Sequence, residues 1–171
     1  MIVTLAPLER DAIESVAHIA VLPDQVRFAG TVAEAFAEDP TRFDLHVIKA
    51  DGHAVGLFKI DRCYRETIPL VPPGVLGLRA FMIDQHQQGR GIATEAIRQL
   101  LPYLASQYPD AGSVALTVNH TNQDAIRAYL RGGFEDTGQD WPHGSAGPQD
   151  LLKMALTTED TVNEYPSTSS V

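Results

Sequence analysis

The feature that most constrains this chain is a glycine-bearing turn between an apolar run and an amphipathic one. Val75 to Ile83 reads as a strand, and Asp84-Gln85-His86-Gln87-Gln88-Gly89-Arg90-Gly91 as a turn. Beyond it Ile92, Ala93, Ala96, Ile97, Leu100, Leu101 and Leu104 recur at helical spacing. A helix opening directly on such a turn presents its first free N–H groups and the positive end of its dipole at the turn's mouth. Gly89 and Gly91 allow the main chain to approach a ligand closely. The junction therefore suits an anion, and a pyrophosphate fits it. Neither a complete Walker loop nor a dinucleotide Gly-x-Gly-x-x-Gly fingerprint is present.

A second motif lies downstream: a strand-like run ending in Asn119, then Asn122-Gln123-Asp124-Ala125-Ile126-Arg127-Ala128-Tyr129, closed by Gly133-Phe134. The pair Gln88-x-x-Gly91-x-Ala93 and Asn122-x-x-Ala125-x-x-x-Tyr129 resembles the acyl-CoA loop and the following helix of the GNAT superfamily of N-acetyltransferases. The resemblance covers Val75 to Gly138. It implies an α+β fold: a mixed, mostly antiparallel central sheet flanked by helices, with one parallel pair of strands splayed into a wedge. It implies acetyl-CoA as cosubstrate, with the pantetheine arm on the main chain of Phe81, Met82 and Ile83. The pyrophosphate would lie on Gln88, Gly89, Arg90, Gly91, Ile92, Ala93 and Thr94, and Asn122 and Ala125 would complete the cofactor site.

Tyr129 is then the expected general acid. A phenol near ~10 is protonated at neutral pH and can supply a proton to a departing thiolate near ~8.5. The attacking amine needs help: a lysine-like amine near ~10.4 costs roughly 4–5 kcal/mol to deprotonate at pH 7. Some relatives carry a glutamate for this where the present chain has Thr117. Asp84 and His120 are the nearest candidates along the chain for a relay through water.

The acceptor is addressed by one local feature. Phe81-Met82-Ile83-Asp84 resembles the central strand of bacterial spermine/spermidine (diamine) N-acetyltransferases, and Asp24-Gln25-Val26-Arg27-Phe28-Ala29 is similar in style. That implies a small cationic amine such as a polyamine, with Glu9, Asp24, Glu34, Glu38 and Glu66 as the pool for its charged ends. Two departures stand out: Arg79-Ala80 replaces the charged residues expected before Phe-Met-Ile, and Trp141-Pro142-His143 maps onto nothing in the family pattern. Another small amine (an amino-sugar or an amino acid), a protein N-terminus, a non-catalytic acyl-CoA-binding module, or a structural domain without CoA remain as alternatives.

Composition sets the frame. The 171 residues suit one domain, expected over 1–157 with a polar tail over 158–171. Thirteen basic against 22 acidic residues give a net charge of −9, which disfavours nucleic acid. The lone Cys63 excludes an internal disulfide, offers no metal cluster and reads as a small buried hydrophobe. The N-terminus shows neither a basic leader nor a long apolar stretch, so no signal peptide or membrane span is expected and the cytoplasm is the default. Relatives often form homodimers.

In chain order, the spacing predicts an opening strand, a helix from Leu8 to about Val21, and a second helix over about 25–37 capped by Asp24, with Val26, Val32, Ala33 and Phe36 inward. A hairpin over 43–49 and 54–60 turns at Asp51-Gly52. A proline-rich loop covers 61–74, and the central strand follows over 75–84. Pro102 is expected to kink or end its helix. A strand over 113–119, the Tyr129 helix, a short strand, a turn-rich stretch over 140–147 and a last strand over 151–156 complete the reading.

Overall fold

The computed structural model describes residues 1–157, so the expected tail over 158–171 lies outside the described residues. Seven strands form one sheet: β1 (Val3–Pro7), β2 (Phe43–Ala50), β3 (His53–Asp61), β4 (Leu76–Ile83), β5 (Ser113–Asn119), β6 (Glu135–Trp141) and β7 (Gln149–Ala155). Their spatial order is β1-β2-β3-β4-β5-β7-β6. Every pairing is antiparallel except β4 with β5. Four helices accompany them: α1 (Val26–Ala29), α2 (Val32–Phe36), α3 (Ile92–Gln107) and α4 (Gln123–Arg131). No helix among the described residues is long and apolar enough to cross a membrane.

Each sheet face has its own core. On one, α3 buries Ile92, Ala96, Ile97, Leu100 and Leu104 against Ile48, Phe58, Ile60, Leu76, Leu78 and Leu116, with α4 packed alongside. On the other, Leu8, Val16, Ile19, Val21, Val32 and Ala35 cover Leu45, Val47, Leu57 and Met82. A third cluster, Tyr64, Ile68, Val71, Ala115 and Leu151, lies under the segment between β3 and β4.

The first predicted helix does not form. From Leu8 to Val21 the chain makes only a 3-10 turn at Ile13–Ser15; of the apolar positions whose spacing suggests a helix, Leu8, Val16 and Ile19 are buried, Ala12 is half-buried and Ile13 is exposed. Its backbone is spent on tertiary partners: Leu8 N–H on Leu45, Ala20 N–H on the Asp84 carboxylate, and the Ala20 carbonyl on Gln85 N–H. The second predicted helix is broken at Gly30, whose φ of 74° ends α1. Thr31 then caps α2 by accepting from Glu34 N–H. The break resets the helical phase, so Ala35 rather than Ala33 is buried with Val32. Asp24 caps neither helix; Leu22 stands at the N-cap of a 3-10 turn over Pro23–Gln25, its N–H given to the Gln25 side chain.

Pro102 does not end α3, which continues to Gln107. Pro102 is exposed, as is Arg98, whose carbonyl loses its usual donor, so water can take the orphaned group. The stretch from 61 to 74 is not all loop, since Tyr64–Glu66 forms a 3-10 turn. Asp140 and Trp141 belong to β6, paired with Asp150 and Gln149, rather than to the turn that follows. Cys63 is exposed, because its neighbour Tyr64 takes the buried position.

Candidate active site

The parallel pair β4–β5 is in register only at Leu76 with Val114 and Gly77 with Ala115. Beyond these residues the strands diverge. A cavity of about 870 Å³ occupies the wedge, walled by Leu78 to Ile83 on one side and Leu116 to Asn119 on the other. On the β3 side, Leu57 faces Met82 and Lys59 faces Arg79, so Ala80 and Phe81 together oppose Phe58. This is a bulge. Ala80 takes a φ of 53°, unusual for a residue with a side chain. The reversal places Phe81 in the α3–α4 core and Ala80 in the opposite one. It also leaves main-chain groups of β4 without strand partners midway along the wedge.

The glycine turn closes the wide end of the wedge. Gln88, Gly89, Gly91, Ile92, Ala93 and Thr94 all line the cavity. Gly91 is the N-cap of α3 at φ 80°, and the space beside its Cα is open. The Gln88 side chain braces the loop: its Nε2 donates to the Ile83 carbonyl and to Gln25 Oε1, each at 2.9 Å, and its Oε1 accepts from Gln25 Nε2 at 3.2 Å. Arg90 stands apart from its neighbours in the turn. Its side chain is exposed, bonded to Gln87, and forms no part of the cavity wall.

Asn122, Ala125 and Tyr129 line the same cavity. Asn122 is the N-cap of α4, its Oδ1 accepting from Ala125 N–H at 3.4 Å. The Tyr129 ring is held edge-on between Phe81 at 6.0 Å and Phe134 at 5.5 Å, and its hydroxyl makes no hydrogen bond among the described residues. Burial raises its pKa, and the nearby Tyr64 phenol adds to the effect. The phenol therefore keeps its proton at neutral pH.

The two candidates for a proton relay are not in the wall. Asp84 is buried and spends Oδ1 on Ala20 N–H at 3.0 Å. His120 lies outside the wall, its Nε2 2.9 Å from Asp150 and 3.5 Å from Asp140. The fold thus gathers three groups able to ligate a metal that the sequence keeps apart, although their contacts are already those of an imidazole between two carboxylates. Of the acidic pool, Glu34 and Glu38 line the cavity while Glu9, Asp24 and Glu66 do not. Glu38 is paired with Lys59 and Glu66 with Arg42. The Glu34 carboxylate has no ion pair among the described residues.

Several wall residues were not singled out from the sequence. Tyr64 sits under the narrow end, its hydroxyl 3.5 Å from Thr117 Oγ1, and its ring occupies the place a Cβ on Gly77 would need. A signal existed, for Tyr64, Ile68 and Val71 have helical spacing and are all buried. Arg79 and His143, noted in the sequence only as departures from the family pattern, line the cavity too, and so does Ala146. The loop bearing the last two is tied to β5 by buried Asn119, whose Nδ2 donates to the Ala146 carbonyl at 2.8 Å.

The chain is similar to known proteins. The model of the Acetyltransferase (GNAT) family matches residues 13–134. A probable spermine N(1)-acetyltransferase of Bacillus subtilis subsp. natto (strain BEST195) is 35% identical over 66 residues, 39% of this chain and 43% of that protein. A kanamycin resistance protein of Rhizobium radiobacter is 32% identical over 66 residues, 39% of this chain and 60% of that protein. The chain thus spans less than two thirds of the length of these curated relatives. Among solved structures, aminoglycoside acetyltransferase AAC(6')-Ib in complex with coenzyme A has a TM-score of 0.71 at 20% identity, over 90% of this chain and 94% of that one, which is a likeness of fold. The family match runs across most of the chain and takes in both the glycine turn and the Tyr129 helix, and on that ground the protein belongs to the GNAT family of acetyltransferases.

Proposed function

We propose that this protein transfers an acetyl group from acetyl-CoA to a primary amine of a small cationic molecule of the polyamine class. The observation that carries the reading is one continuous cavity running from the anion-shaped turn at Gly91, along the unpaired edge of β4, to the Tyr129 hydroxyl. The free N–H groups at the start of α3 suit the pyrophosphate, and the open β4 edge suits an extended pantetheine arm laid beside it like a strand. The thioester then lies at the Ala80–Phe81 bulge, where an unpartnered main-chain N–H can donate to the carbonyl oxygen as it gains charge.

The amine nitrogen attacks the thioester carbon, the tetrahedral intermediate collapses with cleavage of the C–S bond, and the sulfur leaves as thiolate. Tyr129 gives that thiolate its proton and recovers one as the acceptor nitrogen loses its own through water. The cationic acceptor is supported by the unpaired Glu34 carboxylate in the wall, by the net charge of −9, and by the spermine acetyltransferase match.

The test is CoA release, followed with a thiol reagent, across spermidine, spermine, putrescine, an aminoglycoside, amino acids and an N-terminal peptide. Selective release with amines carrying a second positive charge supports the reading, and release confined to neutral or peptide amines refutes it. Tyr129→Phe should lower kcat by about 10²-fold or more while acetyl-CoA affinity by calorimetry is kept. Equal loss of both, or of neither, removes Tyr129 as the acid.

A further inference from the structure

The acceptor half of the cavity holds a cation that the polyamine reading leaves without a task. Three cationic side chains gather round the Phe43 ring: Arg42 at 5.0 Å, Lys59 at 5.0 Å and Arg79 at 5.8 Å. Two of them are committed. Arg42 clasps the fully buried Asp61 carboxylate through Nε at 2.9 Å and Nη2 at 2.8 Å, and Lys59 is paired with Glu38. Asp61 also accepts Cys63 N–H at 2.8 Å. Arg79 is different. Its nearest carboxylate is that same Asp61 at 4.0 Å, already bonded by others, and it makes no side-chain hydrogen bond among the described residues.

Its place in the strand is specific. Arg79 precedes the bulge residue Ala80 and follows Gly77, where β4 and β5 close the wedge. It lies on the cavity wall beyond the bulge as seen from the Gly91 turn, with its side chain 37% exposed. An acyl-CoA arm entering from the turn ends at the bulge, so Arg79 faces the space left for the acceptor. A guanidinium there presents a planar fork of donors that matches a carboxylate. Glu34, on another stretch of the same wall, is complementary to an ammonium.

We infer that the acceptor is a diamino acid: a short chain with two amines, as in the polyamine reading on which this rests, and also a carboxylate held by Arg79. A pure polyamine would set one of its ammonium groups against an uncommitted guanidinium, whereas a diamino carboxylate engages both signs of charge.

The test compares substrates that differ only in the carboxylate: ornithine against putrescine and lysine against cadaverine, by CoA release with the intact protein. The expected result is a kcat/KM at least tenfold higher for each amino acid than for its decarboxylated partner. Arg79→Gln should collapse that ratio toward unity through a rise in the amino acid KM, with acetyl-CoA affinity and thermal melting read alongside to confirm a folded protein. The wild-type comparison needs no variant, so it stands even if Arg79→Gln fails to fold. Putrescine and cadaverine used as well as their amino acids, or a ratio untouched by Arg79→Gln, overturns the inference and leaves cationic amine acetylation in place. Turnover of spermidine alone overturns it in the same way. Silence with every amine removes both readings.

Discussion

His46 provides a quantitative handle on the fold. It lies in β2, 3% exposed, stacked on Phe58 with ring centroids 5.0 Å apart. Its Nδ1 is 2.7 Å from the Tyr103 hydroxyl and its Nε2 is 2.9 Å from that of Tyr108, which in turn donates to Asp44 at 2.7 Å. Tyr108 has one hydroxyl hydrogen and spends it on Asp44, so it must accept from Nε2–H. Nδ1 is then bare and accepts from Tyr103. Protonation would turn Nδ1 into a donor and leave the Tyr103 hydroxyl hydrogen without an acceptor among the described residues, so this network favours the neutral ring. Burial lowers its pKa from 6.5 to about 4, and the Asp44 charge opposes the shift without cancelling it. The folded state therefore binds this proton less tightly than the unfolded chain. The contribution is fully present above pH 6.5, falls as pH drops through the window between 6.5 and about 4, and is exhausted below it. Its slope within the window is about 1.4 kcal/mol per pH unit, so roughly 2 kcal/mol is lost by pH 5 and about 3 in all. Urea unfolding of the wild type and of His46→Phe at pH of about 7, 6 and 5 isolates the effect, since the carboxylates common to both proteins cancel in the difference. A difference that stays flat across those three values, or an imidazole that titrates by NMR at its ordinary position, refutes the assignment.

Two further substitutions probe the cavity. Gly91→Val puts a β-branched side chain at φ 80°, in the space beside the anion turn, and should weaken acetyl-CoA binding at least tenfold by calorimetry; an unchanged affinity would show that the turn does not carry the phosphates. Gly77→Ala brings a Cβ to 2.2 Å from the Tyr64 ring and should cost about 1–3 kcal/mol in urea unfolding as that ring is displaced, and a neutral result would mean that the narrow end of the wedge is not close-packed.

The parts of the site that were legible are those whose chemistry is local. The turn at Gly89 and Gly91 announces itself because positive φ selects glycine, and the structure shows φ of 78° and 80° there. The α4 motif announces itself because a cap and two wall residues recur at helical intervals, and Asn122, Ala125 and Tyr129 indeed meet one cavity. Ala80 gave no such notice. It occupies the same left-handed region without being glycine, and the bulge it makes depends on how β3 and β4 pair. Because of that bulge Ala80 leaves the core of Leu76 and Leu78 for the opposite one and Phe81 takes its place, so counting alternate residues along β4 from the sequence misassigns the side chains along the cavity.

The stretch from Leu8 to Val21 shows the same division from another side. Its apolar spacing correctly puts Leu8, Val16 and Ile19 inside but not Ile13, which is exposed, and no helix forms, since Leu45, Asp84 and Gln85 offer its backbone partners. Gly30 and Thr31, by contrast, are a local stop and start, a left-handed glycine followed by a capping threonine, that split the expected helix in two.

By itself, then, the sequence determined the glycine turn, the Tyr129 helix and the family they mark, because each rests on backbone conformations and spacings within a dozen or so residues. The tertiary structure decided how far β4 and β5 part, which acidic residues reach the wall, and that Arg79 stands there with no side-chain hydrogen bond among the described residues. Those outcomes depend on competition among groups distant in the chain, as when Arg42 clasps Asp61 at 2.8 Å and Arg79 is left 4.0 Å from it.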